Sequence, residues 1–527
     1  MSITIAARQS ALARIQAEKV GTTLQAAHST LHVAYHFRAS LGDQRADDPL
    51  WQMPEKGVFT ADFREGLLCG EFDLVVHSWK DLPLETDGKT EVVATLQRGD
   101  QRDVLLMRRD RWHQRKDDEA LFLLTSSPRR AFNLAQCLPL ALPRPDLKIR
   151  FEPVRGNIQT RVAKLWQPLP DGSQPDGLIV AKAALDRLLP ASDELRTMLG
   201  QCRWMVLPLS VNPTAPAQGA LAIEIAAARD DLRELCAAVN CEATFAAVTR
   251  EREILAAHGG GCHLPLGASV LTRPYGQIEF VRGAASDGTI INESKLIPVR
   301  ARPPRQLRAQ LWPLTNEENE WFTREALTDF DEAPLQHSDA LWIAKAEALP
   351  TSAVEQDGIL FCAEGNKIPS CATVEVVWAG GWQTWQRLAQ RGVWVNGCTD
   401  ALGESEAPMI EGLAGKTLTW CKLTHVDADG LLAGNSLPTL ATYSLKPKAT
   451  TPDLTGREMF FWTSGSNFLL ALALDPWLQD KLHACGPGHT QQLIERAGLH
   501  PHIFLSRAAW LREMTEGSTG SVSDLSL

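Results

Sequence analysis

Short apolar runs alternate with helical patterns through the first 230 residues, and this alternation constrains the fold more than any other feature. DLVVHS (73–78), LFLLTSS (121–127) and GLIVAKA (177–183) read as short buried strands. Each is followed by polar residues and then a helical pattern, such as Arg129 to Gln136 after LFLLTSS. That order predicts parallel α/β sheets. Ligands of such sheets bind beyond the carboxyl ends of the strands, so the residues just after each strand are the ones to search.

Residues 240–258 read as a helix, with Asn240 as N-cap, Glu242 in the first turn, Phe245, Val248 and Leu255 on one face, and Gly259 at C′. The alternation in GQIEFVRGA (276–284) then suggests a small α+β module. Residues 299–310, with Pro303, Pro304 and several arginines, read as a linker or its edge. Eleven of the sixteen tryptophans lie beyond residue 310. A second α/β pattern begins near ALWIAKAEALP (340–350) and recurs at GVWVNG (392–397), EMFFWTSGS (458–466) and LHACGPGHT (482–490). The tail after residue 515 is expected to be disordered.

The 527 residues exceed one core, and about 150 residues per domain suggests three to five domains. A net charge of −10 argues against nonspecific nucleic-acid binding, so any basic site is local. The eleven cysteines lack CxxC spacing, which suggests neither a zinc site nor a disulfide framework and points to a reduced, cytoplasmic setting. The N-terminus lacks a signal-peptide apolar region, and no apolar run reaches the roughly 18 residues of a membrane span.

Arginines recur at the predicted strand-to-helix junctions: Arg8, Arg129, Arg130, Arg155, Arg161 and Arg187. Guanidinium binds carboxylate in a planar, two-pronged way. Ser126 and Ser127 before a helix start would add donors for an anion. As a set these positions suggest a ligand with several carboxylates or phosphates; singly, each is also a solvated helix-start arginine. In HSWKDLP (77–83), Asp81 follows a buried strand, where its carboxylate can accept N–H donors or steady a cation, and Lys80 can hold it ionised or bind an anion. The same residues also make an Asx-type turn closed by Pro83. Cys262, in LAAHGGGCHLPLGAS (255–269), follows a helix C-terminus, which does not favour a thiolate. It is either a small buried residue or the attachment point of a bulky group lying against Gly259, Gly260 and Gly261.

Taken in order, ARQSALARIQ, GDQRADDPLWQMPEKGVFTADF, LVVHSWKDLP, TSSPRRAFNL, VRGNIQTRVAKL, APAQGALAIE and GGGCHLPLGA resemble hydroxymethylbilane synthase, also called porphobilinogen deaminase, across about residues 3–300. The resemblance implies two lobes like those of periplasmic binding proteins plus a small α+β domain: 1–98 with 199–217, then 99–198, then 218–300. It also implies a dipyrromethane cofactor joined to Cys262 through a thioether. Porphobilinogen would lose ammonia to give an azafulvenium-type electrophile, strong enough for an ordinary thiol. Four units would be condensed onto the primer and the linear tetrapyrrole released by hydrolysis. Asp81 would contact pyrrole N–H groups and steady positive charge. Arg8, Ser10, Arg129, Arg130, Arg155, Arg161 and Arg187 would bind acetate and propionate groups, with Lys80, Ser78, Thr125, Ser126 and Ser127 completing these contacts. Lys56 and Phe59 fall where the family's mobile loop meets its helix. Gln52, Pro128, Ala184 and Ala217 depart from the family's usual residues.

Beyond a linker at 301–338, residues 339–515 resemble uroporphyrinogen-III synthase in the order of LWIAKAEALP, ATYSLKP (441–447), FFWTSGSNF and ACGPGHTQQLIERAG. That resemblance implies a two-lobed α/β module with a two-stranded connector, a second, cyclising activity, and Tyr443, Thr463, Ser464, Ser466 and Thr490 as candidate site residues. The alternatives are a noncatalytic structural or docking module and, for the N-terminal part, an anion-binding protein with Cys262 inert. No metal, nucleic-acid or membrane partner is expected, and the chain is expected to be a monomer.

Overall fold

The computed structural model describes residues 1–39, 61–85, 87–114, 119–144, 146–260, 264–327, 333–350, 353–356, 359–362, 374–426, 428, 431–432 and 434–515. Gln52, Lys56, Phe59, Cys262 and the tail 516–527 lie outside them. The chain divides into two compact units: Met1–Cys137 with Asp146–Thr272 and Phe280–Asn292, and Leu138–Pro145 with Arg273–Glu279 and Glu293–Leu527.

The first unit opens with ten strands: β1 (Ser2–Arg8), β2 (His32–Arg38), β3 (Leu74–Ser78), β4 (Thr90–Ala94), β5 (Asp103–Arg108), β6 (Leu121–Leu124), β7 (Ile149–Glu152), β8 (Gly177–Ala181), β9 (Cys202–Val206) and β10 (Leu221–Ala226). They form two five-stranded sheets, in the orders β2-β1-β3-β10-β4 and β7-β6-β8-β5-β9. β1 runs parallel to β2 and β3, and β10 runs antiparallel to β3. In the second sheet β6 is parallel to β7 and β8, and β5 is antiparallel to β8 and β9. The chain therefore crosses between the sheets twice, before β5 and after β9.

Continuous apolar runs form these strands because both sheet faces are covered. Ile3, Ile5, Ala7, Leu74 and Val76 pack with Val20 and Leu24 of the helix Ala11–Ala27. The intervening Ala6 and Val75 face the other way, onto Phe63 and Leu67 of the helix Ala61–Cys69.

Two expected boundaries are corrected. Residues 202–206 pair with β5 in the second sheet, where 199–217 was expected in the first domain. β10 completes the first sheet, where 218 onward was expected in the third domain. In each case the partner strand lies about a hundred residues or more away in sequence, so local pattern carries no register. The helix Glu242–Ala257 follows, capped at Cys241, whose side chain accepts from no backbone N–H of the first turn. Asn240, the expected N-cap, instead accepts a hydrogen bond from the Thr95 backbone at 3.0 Å. β11 (Leu266–Arg273), β12 (Gly276–Ala284) and β13 (Ile290–Pro298) make a three-stranded sheet in that order.

Buried Glu251 anchors that helix. Its carboxylate accepts from Arg98 Nη1 at 2.7 Å and Nη2 at 2.9 Å, and from the backbone of Ala217 at 2.7 Å and Val270 at 2.8 Å. One side chain thus joins the helix, both crossovers and β11. At Gly267 any Cβ would overlap the Pro213 carbonyl oxygen, so glycine permits β11 to approach the second crossover.

The second unit continues with β14 (Leu311–Trp312), β15 (Phe322–Ala326), β16 (Ala340–Ile343), β17 (Ala353–Gln356), β18 (Ile359–Cys362), β19 (Val376–Ala379), β20 (Gly397–Cys398), β21 (Trp420–His425), β22 (Leu431–Leu432), β23 (Asn435–Ser436), β24 (Thr439–Pro447), β25 (Met459–Trp462), β26 (Leu482–Cys485) and β27 (His502–Ile503). A four-stranded sheet has the order β14-β25-β26-β27, and a six-stranded one β15-β24-β21-β16-β19-β20. The four-stranded sheet is parallel, and β15 and β24 run antiparallel to each other.

The expected linker 301–338 is corrected in turn, because it contains β14 and β15. Trp312 and Trp321 are fully buried, and the Trp312 ring lies 5.3 Å from that of Trp462. Arg300 donates to the His500 carbonyl at 3.0 Å and Arg302 pairs with Glu513 at 2.7 Å, so the basic stretch is bound to the lobe it precedes. GVWVNG does not form the expected strand. Val393, Trp394 and Val395 are buried as irregular chain, and only Gly397 pairs, through β20.

Candidate active site

The carboxyl end of β3 turns through a short 3-10 segment, Trp79–Asp81. Trp79 is buried, its ring 5.0 Å from Phe245 of the third-domain helix, which anchors the turn. Asp81 is thereby presented at an exposed strand end. Ser78 is bound to the Gln16 side chain at 3.1 Å, and Ser10 caps the first helix by accepting from Ala13 N at 3.3 Å.

In the second lobe the segment after β6 carries Thr125, Ser126 and Ser127 into the helix Pro128–Ala141. Pro128 takes the first helical position, where its missing N–H costs nothing. The segment after β7 carries Arg155 and then Arg161, on the helix Ile158–Ala163 capped by Asn157.

Electrostatics brings these ends together. Arg161 is held down at about 10, first by burial and then by Arg130, with Arg155 and Arg8 adding to the effect; Asp81 pulls it upward. Charges from both lobes thus act on one guanidinium: Arg8 from β1, Asp81 from the β3 turn, and Arg130 and Arg155 from the second lobe. Lys80 is lowered to about 8 by burial, raised in part by Asp81 and Asp103 and pushed down by Arg130 and Arg161.

Beneath them lies a buried hub absent from the sequence-based expectation. Asp103, at the start of β5, accepts from Arg129 at 2.8 Å, Arg130 at 2.6 Å, Asn212 at 3.0 Å and Gln218 at 2.8 Å. Burial alone would raise its pKa, but the two guanidinium groups and Gln218 hold it well below the carboxylate range. An acid opening the apolar run VLLM was the available signal. A second buried carboxylate, Glu224 on β10, accepts from Arg64 at 2.8 Å and Thr90 at 2.7 Å and lies 2.9 Å from His77. Burial would raise its pKa; these partners outweigh that and lower it to about 2.

Several residues expected to contact ligand have protein partners in this structure. Arg129 is buried, donating to Asp103, Asn212 and the Pro213 carbonyl. Arg187 donates to the Gly219 carbonyl at 2.6 Å. Ser126 donates to the Val154 carbonyl at 2.6 Å and accepts from its N–H at 2.9 Å, joining the β6 and β7 ends. Ser127 accepts from Arg130 N at 3.4 Å, and Thr125 accepts from Ser127 N at 3.2 Å. At these strand ends and crossovers, backbone carbonyls and N–H groups left outside the sheet ladders need partners, and the guanidinium and hydroxyl groups supply them.

In the second unit Thr463, Ser464 and Ser466 lie at the end of β25 and the start of the helix Gly465–Leu474, and Thr490 begins the helix His489–Arg496 after β26. β25 and β26 are adjacent and parallel, and a Cβ at Gly465 would overlap Leu493, so the two helices touch. Thr463 accepts from the Asn319 side chain. Tyr443 has other neighbours: it is buried on β24, 5.8 Å from His425, with a pKa raised by burial. Among the described residues no helix is long and apolar enough to cross a membrane, and no group of three or more metal-binding side chains occurs.

The family model described as "Porphobilinogen deaminase, dipyromethane cofactor binding domain" matches residues 3–234. The porphobilinogen deaminase of Acidothermus cellulolyticus is 38% identical over 286 residues, 53% of this chain and 78% of that protein. That of Lawsonia intracellularis is 36% identical over 296 residues, 56% of this chain and 88% of that protein. Among solved structures, a putative periplasmic sulfonate-binding protein from Methylobacillus flagellatus is 13% identical, with a TM-score of 0.26 over 47% of this chain and 68% of that one. The fold assignment rests on the strand order itself. With the twice-crossed sheets, the strand-end arginines about Asp81 and relatives of this identity and coverage, the chain belongs through its N-terminal half to the porphobilinogen deaminase family.

Proposed function

We propose that residues 3–300 act as a hydroxymethylbilane synthase with Asp81 as the catalytic carboxylate and Cys262 as the cofactor attachment. The observation that carries this reading is the cationic convergence on Asp81. Arg8, Arg130 and Arg155 all push against Arg161, while Asp81 is the acid that favours its charge. Such a group of like charges is stabilised by ligand carboxylates. The buried Nε of Arg130 has no hydrogen-bond partner among the described residues, which leaves a further donor for such a ligand. The donor set therefore fits a cofactor bearing acetate and propionate groups.

When bound, dipyrromethane supplies the nucleophilic pyrrole carbon that the first porphobilinogen unit joins. Arg8, Arg130, Arg155, Arg161 and Lys80 bind side-chain carboxylates and orient the pyrrole rings. Thr125, Ser127, Ser10, Ser78, Arg187 and Arg129 shape the strand ends that carry them. The Asp81 carboxylate accepts pyrrole N–H donors and stabilises positive charge as ammonia leaves the substrate and as each carbon–carbon bond forms. It is also placed to move a proton at that ring. Intact mass of the purified full chain tests the reading: a two-pyrrole adduct on Cys262 is expected, lost with porphobilinogen turnover in Cys262→Ser. An unmodified, active protein would refute it.

The second unit is proposed to cyclise hydroxymethylbilane to uroporphyrinogen III. Support comes from Thr463, Ser464, Ser466 and Thr490, at the ends of adjacent parallel strands where α/β sheets bind ligands. Incubating the full chain with porphobilinogen should yield the type III isomer. Type I product alone would leave the unit a structural or docking module.

A further inference from the structure

Gln218 sits on the second crossover, almost fully buried, between the Asp103 hub and the catalytic turn. Its Nε2 donates to the Gln101 carbonyl at 2.7 Å and to Asp103 Oδ1 at 2.8 Å. Both amide hydrogens are thereby used on acceptors. The amide has one workable orientation, since a flip would set its oxygen against a carbonyl and a carboxylate. That orientation turns Oε1 toward Lys80, whose Nζ donates to it at 3.3 Å. The Gln218 backbone is held as well, its carbonyl accepting from Arg98 Nε at 2.8 Å.

Lys80 adjoins Asp81, yet among the described residues no ion pair within hydrogen-bonding range joins the two. We propose that Gln218 is a positioning residue: its locked amide tethers the Lys80 ammonium to the crossover and leaves the Asp81 carboxylate free for substrate. The inference deepens the deaminase reading and rests on it for its functional meaning, but the tether itself is independent of turnover. Other charged groups acting on Lys80 are Asp81 on its own turn, Asp103 on β5, Arg130 on the helix after β6 and Arg161 on the helix after β7. Asp103 is already shared by two guanidinium groups. The Gln218 oxygen is therefore the hydrogen-bond acceptor on which the ammonium depends, and removing it makes the charged form harder to keep.

The test uses the full-length protein with Gln218→Met, which removes the acceptor, and Gln218→Glu, which makes it anionic. The Lys80 titration is read directly, by competitive acylation of amines across pH followed by peptide mass analysis, alongside the pH dependence of porphobilinogen consumption. In Gln218→Met the Lys80 midpoint should fall by about 0.5–1 pH unit, and in Gln218→Glu it should rise. The alkaline limb of activity should follow in both. A merely structural role would lower activity in both variants and leave the midpoint where it is in wild type, and that result overturns the proposal. If a second carboxylate beside Asp103 prevents Gln218→Glu from folding, the Gln218→Met midpoint decides alone. Because acylation needs no turnover, a wild-type chain that consumes no porphobilinogen, with variants that still shift the midpoint, would count against the deaminase reading and not against the tether.

Discussion

The two units hold their interiors together by different means. In the first, buried carboxylates carry the junctions: Asp103 receives two arginines, Glu251 binds Arg98 through both oxygens, and Glu224 collects Arg64, Thr90 and His77. In the second, tryptophans carry them: Trp312, Trp321, Trp378, Trp385, Trp462 and Trp510 are all fully buried. Its buried ion pair, Lys422 with Glu404 at 2.9 Å, also has an aromatic neighbour, with Nζ 5.0 Å from the Trp342 ring centre. The difference bears on chemistry. Paired charges at crossovers hold further guanidinium groups at the strand ends, suited to an anionic ligand and a transient cation. In the second unit an aromatic core leaves hydroxyls, not guanidinium groups, at the ends of β25 and β26.

The sharpest test of this contrast removes one buried acid from each unit. Asp103→Ala strands two guanidinium groups and should cost about 3–5 kcal/mol in chemical denaturation of the first unit. Glu404→Ala should cost less, because the Trp342 face still stabilises Lys422 by about 1–2 kcal/mol. Equal losses would break the comparison.

At the site, Asp81→Asn should slow porphobilinogen consumption about 10²–10³-fold, as expected for loss of preorganised charge stabilisation. Tyr443→Phe, in the other unit, should leave that rate unchanged. Steady-state rates at saturating porphobilinogen separate the two.

Acid should affect the second unit first. His502 is lowered from 6.5 to about 4 by burial and by Arg300 and Arg302, so its folded form resists protonation. Because the unfolded state binds that proton more readily, the contribution is complete above pH 6.5 and is lost as pH falls toward 4. Glu224 is lowered from 4.5 to about 2, so its contribution is complete above pH 4.5 and lost below it. Each is on the order of 3 kcal/mol when fully lost. Calorimetry between pH 7 and pH 4 should show the second unit's transition falling ahead of the first; the reverse order would contradict the assignment.

The smallest effects come from strained backbone. Ala217, on the second crossover, has φ 68°, and Ala401, in the second unit, has φ 60°, both left-handed. Ala217→Gly and Ala401→Gly should each relieve about 1 kcal/mol, raising the melting transition of their own unit by roughly 2–4 °C and leaving the other unchanged. The left-handed conformation at Ala217 is one that glycine adopts without strain.

The local sequence sufficed for elements whose apolar pattern is continuous or strictly alternating: LVVHS, GLIVA and GQIEFVRGA became β3, β8 and β12. It also sufficed for the motif order that marks the family and for Asp81 at a strand end. Only the tertiary structure decided which sheet β9 and β10 join, which arginines turn inward, and that Asp103 and Gln218 lie beneath the site. Those outcomes rest on bonds spanning long stretches of chain: 26 residues between Arg129 and Asp103, 115 between Gln218 and Asp103, and 138 between Lys80 and Gln218. A local pattern encodes whether a side chain is buried. Which buried partner it meets depends on how the chain returns, because a desolvated charge takes the nearest group able to satisfy it.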